Sequence, residues 1–201
     1  MRTLLVCAMM LIACIVSGCV VVTLQPLYTS DTLTFDPALI GAWQNTEKDT
    51  TYTFSDNGEG GYKLSITPQK GTTTLFAFHL VKLGDRLFAD MYPDITGRES
   101  LDGYTWWNMA PVHNVFLIKS IRPTLRYKAL STEWLDEYLA ANPQAIAHGR
   151  IDLGPDDEKG LPALTADTPE LQAFFLKLAD TPKAWNEAEL VPVAPASQAA
   201  P

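Results

Sequence analysis

Thr51-Tyr52-Thr53-Phe54-Ser55, then Asp56-Asn57-Gly58-Glu59-Gly60-Gly61, then Tyr62-Lys63-Leu64-Ser65-Ile66-Thr67: these seventeen residues read as strand, turn and strand. The first block is β-branched and aromatic, which suits a pleated, half-buried surface. The second collects residues that tolerate positive φ or hydrogen-bond their own backbone. The third alternates polar and apolar with period two. The same punctuation repeats outward. Pro68 to Gly71 is a turn, and Thr72 to Leu83 is a long strand with Phe76, Phe78 and Leu80 on one face and Leu75, Ala77 and Val81 on the other. Gly84-Asp85 closes a tight hairpin into Arg86 to Tyr92. Val112 to Ile121 and Leu125 to Leu130 make a last hairpin through Arg122-Pro123-Thr124. In the other direction, Asp36 caps a short helical turn with Pro37 at its first position, and Gly41-Ala42-Trp43 opens the first strand.

Helical spacing takes over after residue 130. Ser131 or Thr132 caps a helix with the apolar stripe Trp134, Leu135, Tyr138 and Leu139, ended by Asn142-Pro143. Thr168-Pro169 starts a second, with Leu171, Phe174, Phe175 and Leu178 inward. The expected fold is mainly β (α+β): an antiparallel meander barrel or curled sheet of about seven to eight strands with two C-terminal helices. A strand apolar on both faces fits a wall with the barrel interior on one side and helices on the other.

The chain has 201 residues, a formal charge of −8, 47% hydrophobic residues and three cysteines. That length suits one domain. The acidic balance argues against nucleic acid as a partner, because phosphate binding needs a basic face. The cysteines are explained by the N-terminus. Arg2 precedes an apolar run from Leu4 to Val16, the pattern of a secretory signal. Val16-Ser17-Gly18-Cys19 follows and resembles the lipobox of bacterial lipoproteins at all four positions. The resemblance implies cleavage after Gly18, a diacylglyceryl group on the Cys19 sulfur and acylation of the new amino group. With Val at position 20, it further implies the periplasmic face of the outer membrane. The alternative is an uncleaved transmembrane anchor, since Leu4 to Leu24 carries no charge and is long enough to span a bilayer. Cys7 and Cys14 lie in the leader, so the mature chain has neither a free thiol nor a disulfide. Loss of Arg2 leaves 14 basic against 23 acidic residues, a net charge of −9. The membrane is therefore met through acyl chains on Cys19 and not through charge. The expected organisation is a signal peptide (1–18), a lipidated tether (19–35), a β-rich domain with C-terminal helices (36–185) and a disordered Ala/Pro-rich tail (186–201).

Gly41-x-Trp43, after a helical turn and opening a meander, is similar to the start of lipocalins and other calycins. The resemblance implies that Trp43 plugs the closed end of a barrel and that a late Arg, Arg126 or Arg150, stacks across it. The family's Thr-Asp-Tyr turn is absent. The chain also resembles uncharacterised small bacterial lipoproteins that share Pro26-Leu27-Tyr28 and a Gly-x-Trp strand, a resemblance that carries no known activity.

No catalytic motif, phosphate loop or zinc motif occurs, so no enzyme activity, metal or cofactor is expected. A hydrolase ranks third among the readings, because spacing assembles no nucleophile with an acid or base. His79 and His113 fall on strands and can converge. Asp90 interrupts an apolar strand and needs a partner if buried, with Lys119 or Arg126 available. Residues 93–111 form a long connection carrying Tyr104, Trp106 and Trp107. Such connections are often binding loops, so Tyr104, Trp106, Trp107 and His113 are the candidate ligand- or partner-binding residues. The leading reading is a lipid-anchored periplasmic protein holding a small apolar or amphipathic molecule in a calycin-like barrel. The alternative is a non-enzymatic accessory subunit that docks an envelope protein partner.

Overall fold

The computed structural model describes residues 21–45, 49–94, 111–152 and 160–193. Cys19, Tyr104, Trp106 and Trp107, and the segment 1–18 expected to be a signal peptide, lie outside the described residues. No helix among the described residues is long and apolar enough to cross a membrane.

The strands are β1 (Val22–Thr23), β2 (Leu33–Thr34), β3 (Gly41–Asn45), β4 (Thr50–Asp56), β5 (Tyr62–Pro68), β6 (Thr74–Leu83), β7 (Arg86–Pro93), β8 (His113–Ser120), β9 (Leu125–Leu130), β10 (His148–Ile151), β11 (Leu161–Leu164) and β12 (Trp185–Pro192). Two helices, α1 (Thr132–Ala141) and α2 (Thr168–Leu178), lie between β9 and β12. The wall runs β3-β4-β5-β6-β7-β8-β9-β12 and returns to β3, a closed eight-stranded antiparallel barrel. Closure removes the sheet edges that would otherwise invite association. The expected mainly β barrel with two helices is thus what the chain forms.

Side-chain alternation sorts the wall into two cores. Inside lie Phe54, Tyr62, Leu64, Phe78, Leu80, Ala89, Ile118, Leu125 and Leu190. Outside, Val81, Phe88, Val115, Leu117 and Leu130 meet Leu135 and Leu139 of α1 and Leu171, Phe174, Phe175 and Leu178 of α2. Both helices are capped as their sequences require. Ser131 accepts from the Trp134 N–H, and Asp167 from the Glu170 N–H.

Three expectations are corrected. The segment 19–35 is not a tether where it is described. Val21 and Val22 are buried, and β1 pairs antiparallel with β8 and parallel with β11. The strap that follows has its backbone groups taken by side chains: Thr168 Oγ1 donates to the Pro26 carbonyl (2.8 Å) and Gln172 Nε2 to the Leu27 carbonyl (2.8 Å). Buried peptide groups need such partners. The tail does not begin at 186, because 186–192 belong to β12, the eighth strand of the barrel. Its inward Ala188 and Leu190 alternate with outward Glu187 and Glu189, which face Lys128 and Arg126 on β9. Finally, β10 and β11 build a small extension of the sheet beside β1, in a region with no expected strands.

Candidate functional site

The barrel has one sealed end. Hairpins 57–61, 84–85 and 121–124 turn there, beside the 3-10 turn Pro37–Leu39. Trp43 is fully buried, and its Nε1 donates to the Leu39 carbonyl (2.8 Å). The guanidinium of Arg122 lies 4.4 Å from the Trp43 ring centroid, and its Nε donates to the Ala38 carbonyl (3.0 Å). This is a cation–π contact. The stacking residue is therefore Arg122, in the β8–β9 hairpin. Arg126 instead pairs with Glu189 on the wall, and Arg150 with Asp136 of α1. Tyr62 ties the 3-10 turn to the barrel, its hydroxyl donating to the Asp36 carbonyl (2.9 Å) and accepting from the Asp36 N–H (2.7 Å).

Toward the other end the interior is not filled. A cavity of about 230 Å³ is lined by Tyr52, Phe54, Leu64, Ile66, Phe78, Met91, Phe116, Ile118, Leu125, Tyr127 and Leu190. Of these, Tyr52, Ile66, Met91, Phe116 and Tyr127 are only partly buried. No lining side chain is ionised at neutral pH. Burial raises both tyrosines, Tyr127 to about 12, with Tyr52 adding a smaller push to Tyr127. The Tyr127 ring packs edge-on to Phe116, with centroids 5.6 Å apart. Neither hydroxyl has a hydrogen-bond partner among the described residues. A wider surface groove between residues 143–148 and α2 mixes polar and apolar groups, including His148 and Lys177.

The polar candidates converge elsewhere, on the outer wall beneath the N-terminal strap. His79 and Asp90 are register partners across β6 and β7. Asp90 has no solvent exposure. Its Oδ1 accepts from His113 Nδ1 (2.6 Å), and its Oδ2 from the Leu27 N–H (2.7 Å). Neither Lys119 nor Arg126 is its partner. Asp90 faces outward because Leu87, Ala89 and Met91 take the interior. Two charge-assisted bonds offset the cost of burying the carboxylate. Tyr28 packs on His79 and Tyr92 on His113, each pair with centroids 4.4 Å apart. Burial lowers His79, only partly offset by the nearby Asp90 charge, and its buried Nδ1 has no hydrogen-bond partner among the described residues.

His79, Asp90 and His113 therefore come together, but His113 does not line the barrel cavity. His148 stands apart on β10, its Nδ1 bonded to the Ile146 carbonyl (2.9 Å). Among the described residues no group of three or more His, Cys, Asp or Glu is placed to hold a metal ion. Sequence reasoning missed Tyr52 and Tyr127, which read as ordinary strand aromatics, and Tyr28, which read as tether. The signal that was present is the position of both cavity tyrosines on the same alternating face as Phe54 and Leu125. No family model, no curated protein and no solved structure matches the chain.

Proposed function

We propose that this protein is a lipid-anchored envelope protein whose barrel holds a small apolar or amphipathic molecule. The observation that carries the ligand part is an apolar cavity of about 230 Å³ inside a barrel sealed at the opposite end by Trp43 and Arg122. Ligand sites are typically concave, apolar and largely preformed. The anchoring part rests on Val16-Ser17-Gly18-Cys19, with Val20 favouring the periplasmic face of the outer membrane. This reading gives the protein a binding role and assigns no catalytic step to it.

Two measurements test the proposal. Labelled palmitate should enter the wild-type chain in a bacterial host and not Cys19→Ala. Intrinsic tryptophan fluorescence of the membrane-purified protein should change on titration with envelope lipid extract, and extraction of the protein should release a co-purifying small molecule by mass spectrometry. Palmitate in the Cys19→Ala chain would overturn the anchor. An unchanged spectrum with nothing co-purifying would remove the ligand.

A further inference from the structure

We infer that the cavity selects a neutral ligand of about nine non-hydrogen atoms carrying one hydrogen-bond acceptor, and that the Tyr52 and Tyr127 hydroxyls set that preference. This rests on the ligand-binding reading of the barrel and specifies its ligand class. Three observations carry it.

The first is size. An apolar cavity of about 150 Å³ accommodates benzene. Scaling to about 230 Å³ gives room for a single substituted ring or a short branched chain, below the drug-sized range of roughly 300 Å³ and more.

The second is charge. The eleven lining residues include no Lys, Arg, His, Asp or Glu. The two cations that flank Tyr127 in sequence are committed on the outer face, Lys128 to Glu187 and Arg126 to Glu189. A carboxylate or ammonium drawn into the barrel would lose its hydration with no countercharge to replace it.

The third is the pair of hydroxyls. Each is a donor in an otherwise apolar lining, with no protein partner among the described residues. Burial holds Tyr127 neutral to about 12, so it remains a donor throughout the physiological range. Neither hydroxyl is a buried orphan, so both reach solvent at the cavity mouth, where a carbonyl or ether oxygen on the ligand can take the donor that water otherwise holds and a pure hydrocarbon offers it nothing. Sites built to hydrogen-bond a ligand discriminate in this way.

The experiment is calorimetric titration of the full-length protein reconstituted in vesicles, with empty vesicles as the blank, using four probes. Acetophenone is neutral, fits and carries one acceptor. Ethylbenzene fits without an acceptor, benzoate fits but is charged, and benzophenone is neutral but too large. Acetophenone should bind tightest, with ethylbenzene about fivefold weaker, the ratio expected for one net hydrogen bond. Benzoate and benzophenone should give no binding heat at the same concentrations. In Tyr52→Phe/Tyr127→Phe, acetophenone should fall to the ethylbenzene level while ethylbenzene is unchanged. Benzoate binding as well as acetophenone, benzophenone binding at all, or an acetophenone preference that survives the double substitution would each overturn the inference while leaving the barrel a binding site. If no probe binds, the binding reading itself fails and the inference falls with it.

Discussion

Gly61 shows how closely single residues are fixed. It sits where a Cβ would lie 2.7 Å from His79 Cδ2 and 2.9 Å from Asn57 Nδ2. The requirement is for space, because the backbone at Gly61 is not in the left-handed region that favours glycine. Gly61→Ala should lower stability by about 1–3 kcal/mol through overpacking, measured by urea denaturation. Adding His79→Ala should recover part of that loss, and a fully additive double variant would show that the ring is not the obstacle. Asp90 is the second such position. Asp90→Ala leaves the Leu27 N–H and His113 Nδ1 buried without their acceptor and should cost about 3 kcal/mol. Retained wild-type stability would contradict the burial of this pair. Sequence made Asp90 conspicuous, as a carboxylate in an apolar strand. It could not supply the partner, since one of its two donors is a backbone N–H 63 positions away.

At the scale of elements, β12 decides whether a barrel exists. It alone bridges β9 and β3, through six register pairs on one side and Val191 and Pro192 on the other. A chain ending at Ala184 loses the inward Leu190 and the buried Trp185, whose Nε1 donates to the Leu178 carbonyl. It should lose cooperative thermal unfolding by circular dichroism. A sharp transition near that of the full chain would mean that seven strands suffice. The strand was hidden in the sequence because only Ala188 and Leu190 mark its inner face before an Ala/Pro-rich stretch. Its register is written in charge: Glu187 and Glu189 alternate opposite Lys128 and Arg126, and the Lys128 ammonium holds the Glu187 carboxyl below its ordinary value. The hairpins of β4 through β7 were legible because each pairs with its sequence neighbour across a short turn, where local chemistry sets the register.

For the whole molecule, pH acts from two sides. Burial lowers His79 in the folded state relative to the unfolded chain, so the unfolded chain binds the proton first as pH falls. Stability should be intact above about 6.5 and decline as pH falls below that value toward the lower folded one. His79→Gln should reduce the acid-side slope of the urea midpoint, and an unchanged slope would remove His79 as its source. Tyr127 works in the opposite range. Its pKa is raised to about 12 from the ordinary 10.0, so the unfolded chain ionises first and stability falls as pH rises through that interval. Burial also raises Tyr28, Tyr52 and Tyr62, so phenolate absorbance should show several late-titrating groups, and Tyr127→Phe should remove the one near 12.

By itself, the sequence determined the fold class, seven of the eight wall strands, both helices and the placing of Trp43 at the start of the first barrel strand. These depend on side-chain period, caps and turn residues, all encoded within a few positions. Only the tertiary structure decided the closure by β12, the choice of Arg122 to cover Trp43, the docking of the strap on Asp90 and the cavity between Tyr52 and Tyr127. Each joins groups far apart along the chain. Such contacts are fixed by burial, shape and hydrogen-bond satisfaction once the barrel closes, and no local period carries that information.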